Sequence, residues 1–229
     1  MLEALRVEVL EANLEVVRRG LVIYTFGNAS AIDRDQGLVA IKPSGVPYDK
    51  MTAAHMVITD LEGRVVEGSL RPSSDLATHV ALYRAFPAIG GIVHTHSRRA
   101  TAWAQAGREI PCFGTTHADY FHGPVPVTRQ LTAAEIEADY EGNTGVAIVE
   151  LMRNREPLAT PGVLVAGHAP FCWGRTAAEA AHNAVVLEYL AAMAAETLAI
   201  NPAAAPISDA QLNKHYFRKH GPKATYGQG

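Results

Sequence analysis

Ile89-Gly90-Gly91-Ile92-Val93-His94-Thr95-His96 is the stretch from which the fold of this chain is read. A short apolar run opened by glycines predicts a strand buried on both faces. Side chains at i and i+2 of a strand project to the same side. His94 and His96 therefore converge on one point at the exposed end of that strand, where sites in layered α/β folds usually form.

Working outward, Pro161 to His168 (PGVLVAGH) reads as a second buried strand, and it ends in a third histidine, His168. Upstream, Asp75 closes the run Arg71-Pro72-Ser73-Ser74-Asp75. Ser73 and Ser74 are expected to cap a helix running to about Phe86, with Leu76, Val80 and Tyr83 on one face. Three imidazoles and a carboxylate make a complete zinc ligand set. Taken singly the pieces are weak: His-x-His is often an ordinary surface pair, and Asp75 alone would be a carboxylate on a helix dipole.

The rest of the chain supplies the layers. Leu2 to Arg19 carries apolar residues at helical spacing (Leu5, Val9, Ala12, Val16) and ends at Gly20. Leu21–Phe26 (LVIYTF), Leu38–Lys42, Met56–Asp60 and Arg64–Gly68 read as short strands, the last two flanking a hairpin-like turn at Leu61-Glu62-Gly63. Ser97 opens a helix closed by Gly107. Thr132 with Glu135 forms a capping box for a helix toward Glu141, and Asn143 to Arg153 fits helix or strand equally. Thr176 to about Leu198 and Ser208 to His220 read as helices, and Pro222 to Gly229 has no periodicity. Early hairpins followed by strand–helix alternation predict an α/β fold, a sandwich in one domain over residues 1–229.

Composition narrows the function. The 229 residues are 48% hydrophobic and 19% charged, with a net charge of −3, so the basic footprint of a nucleic-acid binder is missing. A core of this size needs no structural metal, so a bound metal would serve chemistry. The two cysteines, Cys112 and Cys172, form no Cys-x-x-Cys pair and read as reduced thiols of a cytoplasmic protein. Glu3 and Glu8 interrupt the first apolar run, against a signal peptide. No apolar run reaches the ~18 residues of a membrane span. No GxGxxG or Walker sequence is present, which argues against a nucleotide.

The fragments TFGNAS, IKPSGV, RPSSD, GGIVHTHS, GTTHADYF, PGVLVAGHAPFCWG and KHYFRKHGPKATYGQ, in this order from end to end, together resemble the L-ribulose-5-phosphate 4-epimerases of the class II aldolase superfamily. The resemblance implies a three-layer sandwich whose largely antiparallel central sheet is flanked by helices. It implies a cyclic homotetramer with active sites between subunits, and one Zn²⁺ per chain on Asp75, His94, His96 and His168, ligands that Mn²⁺ or Co²⁺ could also take. Ala169 departs from the glycine usual after the last ligand. The related aldolases for deoxysugar 1-phosphates such as L-fuculose 1-phosphate carry Glu where this chain has Asp75, which favours the epimerase. Superfamily members that are structural proteins lack the ligands present here.

The implied reaction inverts C4 of a 2-ketopentose 5-phosphate by retro-aldol cleavage of C3–C4 and re-addition. The two faces of C4 need two proton carriers, and the resemblance assigns them to Asp119 and Tyr226. Their own surroundings would suggest a helix cap and a tail aromatic. For the phosphate, Ser73 and Ser74 lie at a helix N-terminus, Gly27-Asn28 and Ser44-Gly45 form small-residue loops, and Lys42 adds charge. Thr115, Glu141, His215 and Arg218 are further site residues by resemblance.

Overall fold

The computed structural model describes residues 2–221 together with 224 and 225. In chain order the elements are α1 (Leu2–Arg18), β1 (Asn28–Asp33), β2 (Leu38–Ile41), β3 (Val57–Asp60), β4 (Val65–Glu67), α2 (Leu76–Ala85), β5 (Gly91–His94), α3 (Arg98–Gln105), α4 (Thr115–Ala118), α5 (Ala133–Met152), β6 (Gly162–Leu164), β7 (Pro170–Gly174), α6 (Ala177–Ile200) and α7 (Asp209–Lys219). The strands form one sheet in the order β4-β3-β2-β1-β5-β7-β6, antiparallel at every pairing.

Alternation along the strands sorts side chains into two cores. Ile32, Val39, Ile92, Phe171 and Trp173 face Leu82 and Tyr83 of α2, Phe86 just past its end, and Ile148 and Met152 of α5. Ala29, Ala31, Val93 and Cys172 face the opposite way, onto α1, α3 and α6 through Val9, Val16, Trp103, Ala180 and Leu187. Two helical layers thus enclose the sheet, as expected. By length and composition α6 could cross a bilayer, with mean hydropathy 1.4, but its Ala177, Ala180, Ala184, Leu187, Ala191 and Ala194 are buried in this core.

Three expectations need correction. Leu21–Phe26 is not a strand: Tyr24 has φ +52°, the segment turns, and Ile23, Tyr24 and Phe26 are exposed. Gly27 must approach the sheet closely, since a Cβ there would lie 2.8 Å from the His94 carbonyl oxygen at φ +77°. The strand is the small-residue run after it, β1. Second, His168 does not end a strand. It sits in the turn joining β6 to β7, with its N–H bonded to the Val165 carbonyl. Third, Ser73 and Ser74 do not cap α2; Asp75 is its N-cap residue and its side chain makes no capping bond. Ser97 likewise makes no side-chain cap at α3. There the Glu188 carboxylate accepts from the Arg99 and Ala100 N–H groups.

The Thr132–Glu135 capping box is present, and Asn143 to Met152 is helical. The helix is broken at Asp139 (φ −168°, ψ 92°). The Asp139 carboxylate accepts from the Gly142 N–H, so it caps the second segment as an N-cap residue would.

The glycine pair ahead of His94 has a packing cause. A Cβ on Gly91 would overlap the Ala177 backbone at the start of α6, and one on Gly90 the Arg175 carbonyl. Backbone cannot yield as a side chain can, so Gly91→Ala should cost at least the ~1–3 kcal/mol of an overpacked core. Gly114→Ala is the control, because a Cβ there meets nothing within 4 Å and φ is −156°. Urea unfolding should show a large loss for the first and a change within ~0.5 kcal/mol for the second.

Candidate metal centre and cleft

The cluster is set by register. Asn28 of β1 stands opposite His94 of β5, and His94 stands opposite Phe171 of β7. The His94 ring stacks on Phe171 at 4.2 Å, and its Nδ1 lies 2.9 Å from the Pro170 carbonyl oxygen. A carbonyl only accepts, so Nδ1 carries the proton and Nε2 keeps its lone pair. That Nε2 is 4.0 Å from Asp75 Oδ2. His96, just beyond the strand end, and His168 bring their Nε2 atoms within 3.2 Å of each other.

One ligand atom from each of the three histidines lies within 4.8 Å of the others. Tetrahedral zinc with nitrogens at ~2.0–2.1 Å would separate its ligands by roughly 3.3 Å, so the donor set fits a metal ion. Burial pushes all three imidazoles below their ordinary value, which keeps them neutral and able to donate lone pairs. For Asp75, burial acts upward but is outweighed by His94, His79 and the Asn28 amide, leaving the carboxyl below its usual value. Asn28 Nδ2 donates to Asp75 Oδ2 at 2.6 Å. His168 Nδ1 is buried without a hydrogen-bond partner among the described residues.

The cluster floors a cleft of about 390 Å³ whose walls include Gly27, Asn28, Lys42, Ser44, Gly45, Ser73, Ser74 and Glu141. Twelve of the residues expected at the site thus meet here, counting Asp75, His94, His96 and His168. Their detail differs from a cradle of free amides. The Ser44 N–H donates to the Arg71 carbonyl and the Ser73 N–H to the Lys42 carbonyl, so anion contacts from these two must come from their side chains. Lys42 Nζ reaches the Thr25 and Pro43 carbonyls and sits 4.9 Å over the Tyr48 ring, with burial lowering its pKa.

Tyr140 was not legible as a site residue. It lines the cleft with its ring 5.8 Å from that of His168, placed there by the break at Asp139. Burial, Glu141 and Asp75 all raise its pKa. A Tyr two residues before a capped glycine was the available signal, and it is a faint one.

The other expected residues gather elsewhere in the same chain. Asp119 ends α4, and its N–H donates to the Thr115 carbonyl. Its carboxylate takes Arg218 Nη2 at 3.0 and 3.1 Å, His215 Nδ1 at 3.2 Å and Lys219 Nζ at 3.4 Å, all from α7. Burial opposes ionisation, but Arg218, His215 and Lys219 outweigh it and hold this carboxyl below its ordinary value. Thr115, Asp119, His215 and Arg218 do not line the cleft described above. Tyr226 lies outside the described residues.

Comparison with known proteins places the chain in a family. L-ribulose-5-phosphate 4-epimerase UlaF of Salmonella paratyphi C (strain RKS4594) is 56% identical over 99% of this chain and 100% of its own length. UlaF of Salmonella choleraesuis (strain SC-B67) matches to the same extent. Among solved structures, an L-fuculose 1-phosphate aldolase superposes with a TM-score of 0.80 over 93% of this chain and 94% of its own, at 24% identity, a likeness of fold. The sequence model of the family described as Class II Aldolase and Adducin N-terminal domain matches residues 7–195. Sheet, histidine cluster and sequence match together make the chain a member of the class II aldolase and adducin N-terminal domain family.

Proposed function

We propose that this protein is a zinc-dependent, cytoplasmic L-ribulose-5-phosphate 4-epimerase, forming D-xylulose 5-phosphate reversibly. The 56% identity to UlaF across the whole of both chains carries this reading. The C4 hydrogen is not α to the C2 carbonyl, so direct proton abstraction does not serve. The C3–C4 bond is placed for retro-aldol cleavage. Loss of the C4 hydroxyl proton breaks that bond and leaves its electron pair on the three-carbon enediolate. Glycolaldehyde phosphate turns its other face, the bond re-forms, and the new C4 oxygen takes a proton.

A Zn²⁺ held by Asp75, His94, His96 and His168 would supply Lewis-acid stabilisation of developing oxygen charge, worth several kcal/mol. Stacked on Phe171 and bonded to Pro170, His94 is fixed in orientation; Asn28 does the same for Asp75. Lys42 and the side chains of Ser44, Ser73 and Ser74 meet the phosphate, and Glu141 lines the same cleft. Asp119, held ionised beside Arg218, is suited to accept the proton at one face of C4, and Tyr226 serves the other.

Asp119 and its α7 partners lie apart from the cleft of their own chain, so we read each site as shared between neighbouring subunits of a cyclic tetramer. Exposed Ile23, Tyr24 and Phe26 beside the cleft support this, since clustered exposed apolar side chains mark interfaces. The fold likeness to an aldolase favours a second reading, cleavage without re-addition. It predicts accumulation of free glycolaldehyde phosphate, whereas the epimerase yields D-xylulose 5-phosphate in a coupled assay.

Three tests follow this reading. His96→Ala should lose its metal by elemental analysis and its activity while far-UV circular dichroism is retained; full zinc in the variant refutes the ligand set. Asp119→Asn should keep its metal and lose turnover of L-ribulose 5-phosphate by ~10²–10⁴-fold; near-normal turnover places the proton carrier elsewhere. Subunit exchange between Asp119→Asn and Tyr226→Phe proteins should restore about a quarter of the sites if the two residues come from different chains. Verified mixed oligomers that stay inactive would mean that Tyr226 acts beside the Asp119 of its own subunit, or not at all.

A further inference from the structure

Behind the ligand Asp75 and its partner Asn28, a polar ladder continues through Ser30, His79 and Tyr83, which the proposed reaction does not use. On β1, Asn28 and Ser30 are two residues apart and face the same way. On α2, Asp75 and His79 are four apart and also share a face. The spacings match, at ~6.8 Å along the strand and ~6.0 Å along the helix. Asn28 Nδ2 meets Asp75 Oδ2 at 2.6 Å, and Ser30 Oγ meets His79 Nδ1 at 2.7 Å. One turn further, Tyr83 Oη meets the same Ser30 Oγ at 2.8 Å. Ser30, His79 and Tyr83 are wholly buried, and Asn28 nearly so. The His79 ring also packs edge-on against Phe171, the ring on which His94 stacks.

Two buried atoms of this ladder have no hydrogen-bond partner among the described residues, His79 Nε2 and Asn28 Oδ1. The amide oxygen can only accept. If His79 Nδ1 donated to Ser30, Nε2 would be a second acceptor, and a water donating to both open ends would serve them. In the opposite polarity Tyr83 donates to Ser30, Ser30 donates to His79 Nδ1, and Nε2 carries a proton that is left to donate. Buried polar groups are rarely left unpaired, and buried waters join such ends.

We propose that His79 is a positioning residue for the metal centre: its Nε2–H serves Asn28 Oδ1 through a buried water, completing an oriented chain from Tyr83 to the Asp75 carboxylate. A chain polarised in one direction strengthens each of its bonds. It fixes both the Asn28 amide and the carboxylate that amide holds. The inference rests on the reading of Asp75 as a ligand.

The test is metal affinity, measured by chelator competition with Zn²⁺, together with the visible absorption of the Co²⁺-loaded protein. His79→Leu should bind metal ~10–100-fold more weakly and shift the cobalt spectrum. Its metal-free form should also unfold earlier in urea, because the buried Ser30 hydroxyl loses a partner, so affinity is read on protein held well below that transition. His79→Gln, which keeps an N–H donor, should recover most of the affinity. Ser30→Ala should weaken metal binding in the same direction, and it decides the matter if His79→Leu does not fold. Wild-type affinity in either His79→Leu or Ser30→Ala, with an unshifted cobalt spectrum, overturns the proposal alone. A wild-type chain that takes up neither metal overturns the ligand reading and this inference with it.

Discussion

In the antiparallel register of β1 and β5, Asn28 stands across from His94, and the polar chemistry of the cleft is built outward from that pair. One strand position to the side, Phe171 gives the His94 ring a flat surface to stack on. From the helical layer, α2 brings the Asp75 carboxylate to the Asn28 amide. A slip of one residue between β1 and β5 would turn Asn28 to the face away from His94 and Asp75. The close approach of Gly27 to the His94 carbonyl and of Gly91 to α6 guards that register.

The two cores divide the work. The face beneath α2 and α5 carries aromatic and branched residues and, at its end, the ligands. The other face is rich in alanine, which lets α1 and α6 lie close to the sheet. Arg6 is clamped there, donating to the Met56 carbonyl and to Glu67. The histidines therefore sit on a support held from both sides, as a pre-arranged ligand set requires.

Much of this was legible in sequence because it is written in periodicity and short spacing. The long helices follow the 3.6-residue pattern, and His94-Thr95-His96 carries its own geometry. What escaped was decided by tertiary contact. β1 is Asn-Ala-Ser-Ala-Ile-Asp, poor in β-formers, and forms because neighbours on both sides supply its hydrogen bonds. The apolar run before it turns away, because Gly27 must pass close under His94. β7 hid behind Pro170, whose missing N–H is harmless at a strand's first residue. The helix broken at Asp139 read as a helix toward Glu141 followed by a segment open to helix or strand, and Tyr140 passed as an ordinary residue of the first piece.

That break also sets how the chain tolerates changes of length. Residues 133–138 form an exposed helical segment tied back by Arg129, which pairs with Glu135 and Glu150. Each residue added to or removed from a continuous helix rotates everything beyond it by ~100°. Here the non-helical Asp139 interrupts that transmission, and a fresh cap restarts the count at Tyr140. An insertion or deletion ahead of Asp139 is absorbed in the exposed segment and leaves Tyr140 and Glu141 facing the cleft. The same change between Tyr140 and Gly145 would swing both away, because Gly145 is pressed against α2 where a Cβ would lie 2.7 Å from that of Ala81. Length variation in this arm is therefore open on one side of a single residue and closed on the other.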